Sequence, residues 1–403
     1  MFSTLWYGFP AKKMVVIGVT GTKGKSSVTE MLYAILTAAG YETALASTIR
    51  FAIGKETRPN LFKMTLPGRG FIQKFLAEAL SEKCTHAIIE ITSEAALQYR
   101  HLGLNLDALV FTNLQKEHIE SHGSMEKYFR AKFAIGKSLV HSSKRPRIII
   151  ANADDAYGDK FLALPVEKRI SFSFVDAKDI EVSEERVSFL YGGVHFVIPQ
   201  PGNFSVMNAL ASIKTAETLG VPLSTCAEAL KGLSRIGGRA ERIDVGQNFL
   251  AIVDYAHTPD SLKALYEAFR PIRQTSGSIS KRKLICVLGN TGGGRDTWKR
   301  PEMGRIADEQ CEKVILTNED PYDEDPEKIV KEMAIGMARE PEIIMDRREA
   351  IRAALRAARP GDAVLITGKG TDPFIMSAHG AKIPWDDATV VREELQKFLA
   401  TGV

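Results

Sequence analysis

Short apolar runs rich in β-branched residues alternate with amphipathic stretches along most of this chain. Residues 14–19 form the first run and read as a buried strand. A glycine-rich turn follows at 21–27. Then Val28, Met31, Leu32, Ile35, Leu36 and Ala39 recur at the spacing a helix needs to bury one face, and Gly40 is placed to stop it. Further strand-length runs fall at 87–91, 108–111, 148–151, 251–253, 284–288, 314–316 and 364–366, with helical patterns between them. The alternation predicts an α/β fold, with mostly parallel sheets covered by helices on both faces. The texture changes between Arg169 and Pro199, where ISFSF, RVSFLYG and VHFVI surround Gly192-Gly193, and an antiparallel hairpin insert is expected there. Gly237-Gly238-Arg239 closes a helical stretch ahead of a new strand. The boundary is therefore placed near Arg242, giving domains of residues 1–242 (with a short extension, 1–12) and 243–403.

The strand, glycine turn and helix over 14–40 make a phosphate cradle. Backbone N–H groups and the helix N-terminus face an anion, a lysine reaches the terminal phosphates, and a hydroxyl holds Mg²⁺. The candidate nucleotide residues are Gly21, Thr22, Lys23, Gly24, Lys25, Ser26 and Ser27. The strict P-loop spacing is missed by one residue, since five residues separate Gly18 from Gly24. Other polar residues sit just past strand ends: Glu90 and Ser93, then Thr112, Asn113 and His118, then Asp254 and His257. Ligands bind at the carboxyl ends of strands in open α/β sheets, so these groups are expected to meet at a ligand cleft. Glu90, ending HAIIE beside the cradle, is a natural Mg²⁺ ligand.

Composition adds exclusions. With 403 residues the chain is long enough for two domains with real cores. A net charge of +4 without a long basic block does not favour a nucleic-acid partner. No apolar run is long enough to span a membrane, and MFSTLWYGFP lacks the charged start of a signal peptide. Cys84, Cys226, Cys286 and Cys311 are scattered without a CxxC pair, so neither a zinc ribbon nor a disulfide framework is expected. A cytoplasmic location is expected.

The turn TGTKGKSS, Thr20 to Ser27, resembles the TGTxGK[ST][ST] form shared by the Mur ligases of peptidoglycan synthesis and the folylpolyglutamate synthases. The segment FTNLQKEHIESHGSMEKYFRAK, Phe111 to Lys132, resembles the Mur signature FTNLxxDHLDxHG followed by MxxYxxAK, with Glu117 and Glu120 where aspartates are usual. Asp254 to Asp260 reads DYAHTPD, as in Mur ligases, where folylpolyglutamate synthases carry a DGAHNP-like sequence. GNFSVMNALAS (Gly202 to Ser212), the GRxE match at Gly238–Glu241 and Gly368-Lys369-Gly370-Thr371-Asp372 extend the likeness nearly to the C-terminus.

The resemblance implies that the first domain is an ATPase domain and the second a smaller Rossmann-like domain that receives the amino acid. The activity it implies is ATP-dependent, ADP-forming amide ligation of the MurE type, through an acyl phosphate. By the same likeness Lys25, Glu90, His118, Lys132 and Arg239 are the catalytic set. Two Mg²⁺ ions would be held by Ser26, Glu90, His118 and a Lys132 carbamylated by CO₂. Asn208 would contact adenine, Arg239 phosphate and Asp254 the ribose, with His257 beside them. Thr65, Ser93, Gln98 and Arg100 would grip the acceptor, a muramoyl peptide precursor. Asp320, Tyr322, Arg348, Gly368 and Asp372 would receive a diamino acid. Ligases that add diaminopimelate read DNPR where this chain reads Glu319-Asp320-Pro321-Tyr322. Tyr322 cannot grip a carboxylate as arginine does, and Asp320 adds negative charge, so a lysine-like substrate is expected. Mur ligases usually carry an N-terminal UDP-binding domain, and only about a dozen residues precede the first strand here. A monomer is expected. The other readings are a folate-directed or other short acid–amino acid ligase, and a nucleotide-binding relative without ligase activity.

Overall fold

The computed structural model describes residues 2–62, 64–117, 119–270 and 282–400. The chain forms two compact units. The first comprises Met1–Val182, Arg186–Pro199 and Asn203–Ser234; the second comprises Ser183–Glu185, Gln200–Gly202 and Arg235–Val403.

The first unit is built on an eight-stranded sheet. Its strands are β1 (Val15–Thr20), β2 (Thr43–Ala46), β3 (Arg50–Ile53), β4 (Glu56–Pro59), β5 (His86–Glu90), β6 (Ala108–Phe111), β7 (Ile148–Asn152) and β8 (Lys168–Phe172), in the order β4-β3-β2-β5-β1-β6-β7-β8. All pairs are parallel except β2–β3 and β3–β4. The parallel centre follows from composition. β5, β6 and β7 are buried along their whole length, as strands covered on both faces must be. The helix Lys25–Ala38 buries Val28, Met31, Leu32, Ile35 and Leu36, the face its periodicity predicted. Gly40, at φ +86°, ends it: its N–H bonds to Thr37 O, and the Tyr41 N–H returns to Leu36 O.

The predicted insert is partly reassigned. ISFSF does not join a hairpin, because Lys168–Phe172 extends the main sheet beside β7. The antiparallel sheet consists of β9 (Lys178–Val182), β10 (Val187–Tyr191) and β11 (Val194–Ile198), with β10 central. β2, β3 and β4 carried no sequence signal strong enough to be read. They are four residues each, and β4 lies fully exposed at the sheet edge.

The second unit is built on a six-stranded sheet of β12 (Glu241–Ile243), β13 (Leu250–Asp254), β14 (Leu284–Leu288), β15 (Lys313–Leu316), β16 (Glu342–Ile343) and β17 (Ala363–Thr367), ordered β12-β13-β17-β14-β15-β16, and also holds a two-stranded antiparallel pair, β18 (Phe374–Met376) and β19 (Lys382–Pro384). Within the six-stranded sheet only β12 is antiparallel to its neighbour. Arg242 therefore lies inside a strand of this unit, paired with Ile252, and the unit begins ahead of the expected boundary. The expectation of no disulfide framework is also corrected by one bridge: Cys286 and Cys311 are joined, with Cα atoms 6.2 Å apart. β14 and β15 are parallel neighbours, and Cys311 caps the helix that leads into β15. Cys286 is in register with Val314, three residues beyond Cys311, so the pairing brings the two cysteines together. No helix among the described residues is long and apolar enough to cross a membrane.

Candidate active site

Gly24, at φ +80°, caps the helix Lys25–Ala38, and a Cβ on it would lie 2.3 Å from Asn208 Oδ1. The glycine thus lets Asn208 close on the turn. Gly21 is equally constrained, since its Cβ would fall 1.9 Å from Thr112 Oγ1. The turn is tied to the loop after β6. Thr22 N–H donates to Asn113 O (2.8 Å), Lys23 N–H to Asn113 Oδ1 (2.9 Å), and Thr112 Oγ1 to Lys23 O (2.7 Å). Lys25 Nζ donates to Thr22 O (2.9 Å), which holds its ammonium over the turn. Ser26 is buried and Ser27 half-buried in the first helical turn. The cradle is therefore preformed at a helix N-terminus that favours anions.

The Glu90 carboxylate, 1% exposed, lies behind the turn. It accepts from Ser26 Oγ (3.2 and 3.1 Å to its two oxygens) and from Thr48 N–H (2.8 Å). A hydroxyl and a carboxylate offer the hard oxygen that suits Mg²⁺, so these residues fit the expected ion. His118 lies outside the described residues. Among the described residues, no group of three or more His, Cys, Asp or Glu side chains gathers as a metal cluster.

Lys132 is 1% exposed, and its Nζ donates to Gly21 O at 2.7 Å. Burial pushes its ammonium well below the ordinary lysine value, Lys25 adds to the fall, and Glu117 and Glu90 oppose it. The fold thus sets a buried amine, biased toward its neutral form, on the floor of a phosphate cradle.

Sequence reasoning passed over Glu117 as a site residue. It is 4% exposed and pairs with Lys23 at 3.1 Å, linking the turn to the segment that carries His118. The ion pair is expected to position the turn. Lys23→Met and Glu117→Gln should each raise the KM for ATP about tenfold, with the double variant no worse than either single one. A double-mutant cycle on ATP binding checks this. Additive losses would mean that Lys23 acts on the phosphates alone.

The expected acceptor residues lie in the same unit. Thr65 Oγ1 is 2.7 Å from Thr48 Oγ1, two links from Glu90. Arg100 donates to Leu66 O (2.7 Å) and to Gln98 Oε1. Ser93 Oγ lies 3.1 Å from His122 Nε2.

In the second unit, the Arg239 guanidinium stacks 4.5 Å over the Tyr255 ring. Asp254 accepts from the backbone N–H groups of Ala240 and Ala256, both at 2.6 Å. It thereby fixes the GRxE segment against the DYAHTPD segment. His257 Nδ1 lies 2.7 Å from Tyr255 O.

Three expectations for the amino-acid site change. Asp320, 4% exposed, is not an open negative charge: it accepts from Lys369 Nζ (2.8 Å) and Met376 N–H (2.7 Å). Asp372 shares the same ammonium at 3.1 Å. Arg348 is engaged by carboxylates, pairing with Glu393 and Glu394 on the C-terminal helix (2.7 and 2.9 Å). Its neighbour Arg347 lies beneath the loops instead, donating to Thr367 O (2.8 Å) and paired with Asp387 (2.7 Å). Glu319 is the overlooked residue. Its Oε1 accepts from Thr291 Oγ1 (2.7 Å), and its Oε2 is buried without a hydrogen-bond partner among the described residues. A Cβ on Gly368 would lie 2.2 Å from Oε2, so the glycine makes room for this carboxylate. Burial pushes the Glu319 carboxyl up, although Arg347 and Lys369 oppose the shift. Tyr322 takes a left-handed turn at φ +53°, and its N–H donates to Met376 O (3.1 Å).

Together the preformed phosphate cradle and the parallel sheets define a nucleotide-dependent α/β enzyme. Residues 19–216 match the Mur ligase middle domain, and residues 238–370 match the Mur ligase glutamate ligase domain. The chain is 36% identical over 419 residues to the UDP-N-acetylmuramyl-tripeptide synthetase of Roseiflexus sp. (strain RS-1), covering 98% of this chain and 81% of that protein. It is 35% identical over 414 residues to the UDP-N-acetylmuramoyl-L-alanyl-D-glutamate–2,6-diaminopimelate ligase of Gloeobacter violaceus, covering 99% and 81%. Among solved structures, a ligase of that second name aligns with a TM-score of 0.62 at 28% identity, over 96% of this chain and 79% of that one. Folylpolyglutamate synthase from Mycobacterium tuberculosis aligns at 0.72 with 16% identity, over 91% of both chains, a likeness of fold alone. The chain belongs to the Mur ligase family. It is an ATP-dependent, ADP-forming acid–amino acid ligase, of a family that uses ATP and Mg²⁺.

Proposed function

We propose that this protein joins a diamino acid to a muramoyl dipeptide acceptor of peptidoglycan synthesis, working as a monomer in the cytoplasm. The observation that carries the reading is the buried Lys132 amine on Gly21 O, within one cradle with Lys25, Ser26 and Glu90. A buried amine beside the turn supports ligation over nucleotide binding alone.

The acceptor carboxylate takes the γ-phosphoryl group of ATP and ADP leaves. The amine of the incoming amino acid then attacks the acyl carbon. The C–N bond forms, the C–O bond to phosphate breaks, and the amine loses its proton. Lys25 and the helix N-terminus stabilise charge on the phosphates, and positioning supplies much of the remaining acceleration. Ser26, Glu90, His118 and carbamylated Lys132 are the residues that would hold two Mg²⁺ ions, which neutralise phosphate charge when bound. Arg239, Asp254, His257 and Asn208 serve the nucleotide, and Thr65, Ser93, Gln98 and Arg100 the acceptor.

A lysine-like substrate remains the proposal, on a revised basis. Lys369 already neutralises Asp320, so Glu319 Oε2 becomes the acceptor for a side-chain amine, with Tyr322, Gly368 and Asp372 around it. Glu319→Gln should raise the KM for the diamino acid at least about tenfold and leave the KM for ATP unchanged. Competition between lysine and diaminopimelate, read by the mass of the product, checks the preference. Phosphate release tests the function itself. It should require muramoyl dipeptide and a diamino acid together. Release driven by folate would sink the reading, as would none with any acceptor.

A further inference from the structure

The loops that follow β14 and β15 approach so closely that glycine is required between them. A Cβ on Gly289 would fall 2.6 Å from Thr317 O, and one on Gly292 2.3 Å from Pro321 O. One on Gly293, at φ +67°, would fall 2.8 Å from the Tyr322 ring. Gly292 N–H donates to Asp320 O (2.8 Å). This contact carries Thr291 to Glu319, where its hydroxyl donates to Oε1 at 2.7 Å. A threonine hydroxyl has one proton to donate. It goes to Oε1, so Oε2 is the oxygen left without a hydrogen bond among the described residues.

The two loops are also joined from the helix Lys299–Gln310. Arg300, 0% exposed, donates from Nη2 to Glu324 Oε2 (2.8 Å) and to Thr291 O (3.5 Å). Its Nη1 donates to Glu332 Oε2 (2.7 Å) on the helix Pro326–Ala334. Glu324 accepts in turn from Gly294 N–H (3.4 Å). The planar fork of a guanidinium fixes these directions together. The Thr291 hydroxyl is therefore held at Glu319 by the loop's own anchorage.

The charges around Glu319 leave a place for that hydroxyl. Arg347 and Lys369 favour its ionised form and Asp320 opposes it, while burial presses it toward the neutral acid. Both cations are already engaged, Arg347 by Asp387 and Lys369 by Asp320 and Asp372. Thr291 adds a hydrogen bond that favours the carboxylate and fixes which of its oxygens stays open.

We infer that Thr291 is a positioning residue for the side-chain amine of the incoming amino acid. By occupying Oε1 of Glu319 it keeps the carboxylate charged and presents Oε2 alone, which suits a chain tipped by one ammonium. The inference rests on the ligase reading above and deepens its amino-acid site.

Thr291→Val keeps the shape of the side chain and removes the donor. It should raise the KM for lysine about tenfold, with the KM for ATP and the melting temperature unchanged. Thr291→Ser, which retains the hydroxyl, should keep the wild-type value. In a Glu319→Gln background Thr291→Val should add nothing, because the charge it serves is gone. Calorimetric titration with lysine and with norleucine, which ends in a methyl group, needs no turnover. The wild type should bind lysine at least about tenfold more tightly than norleucine, and Thr291→Val should lose that margin while Thr291→Ser keeps it. A wild-type KM for lysine in Thr291→Val would overturn the inference. So would equal losses for lysine and norleucine, or losses that add in the double variant, since the loop as a whole would then be what changed. If the wild type turns over no amino acid, the ligase reading fails alone. The lysine margin still decides the role of Thr291: its loss in Thr291→Val upholds the inference, and its absence from the wild type overturns it.

Discussion

Lys132→Met is expected to lower turnover at least about a hundredfold, with little loss of stability. Methionine matches the length of a buried side chain that is 1% exposed, and it removes a cation the site disfavours. Burial and Lys25 both press Lys132 toward its neutral form. Only the neutral amine reacts with CO₂, and the product is an anion suited to a hard cation beside Glu90. The pH dependence has a definite sign. In the folded protein the amine is neutral above its depressed pKa and takes up a proton as pH falls through it. Modification, and activity with it, is therefore expected to rise with pH across that value and to require bicarbonate. For the unmodified protein, stability should likewise rise with pH between the depressed folded pKa and the ordinary lysine value, because there the unfolded chain binds the extra proton. Turnover measured in CO₂-free and bicarbonate buffers over a pH series checks the dependence on modification. Partial rescue of Lys132→Ala by acetate checks that a carboxylate is what the site needs. Wild-type turnover by Lys132→Met, or indifference to bicarbonate, would remove the carbamate from the mechanism.

How much of the molecule was readable in advance depended on range. The cradle was legible because strand, turn and helix are contiguous, and Gly24 and Lys25 carry their meaning within a few residues of sequence. The buried parallel strands were legible because burial on both faces leaves an apolar run in sequence. What was not legible required partners distant in the chain. Asp320 looked like an open charge because Lys369, which neutralises it, lies 49 residues away. Arg347 and Arg348 are adjacent and chemically identical, and only helix phase decides that Arg347 turns inward to Asp387 while Arg348 turns to Glu393 and Glu394. Glu117 read as a stand-in for a family aspartate, and its pairing with Lys23 needed the fold. The bridge between Cys286 and Cys311 depended on β14 and β15 being neighbours, which no cysteine spacing encodes.

Lys369→Met is expected to destabilise the second unit by about 3–5 kcal/mol, the usual cost of breaking a buried pair by removing one partner. The Lys369 side chain is fully buried and that of Asp320 nearly so, at 0% and 6% exposed. The variant takes from buried Asp320 and half-buried Asp372 the ammonium they share, and Phe374 O loses its donor. A fall in melting temperature of roughly ten degrees or more should result. Adding Asp320→Asn should recover more than half of the loss, because asparagine still accepts from Met376 N–H and carries no charge to strand. If the double variant is no more stable than Lys369→Met, the lysine acts through packing alone. Recovery would instead show that its charge serves the loop. In that case Asp320 is held for structure, and selection of the incoming amine is left to Glu319, whose buried Oε2 has no hydrogen bond of its own among the described residues.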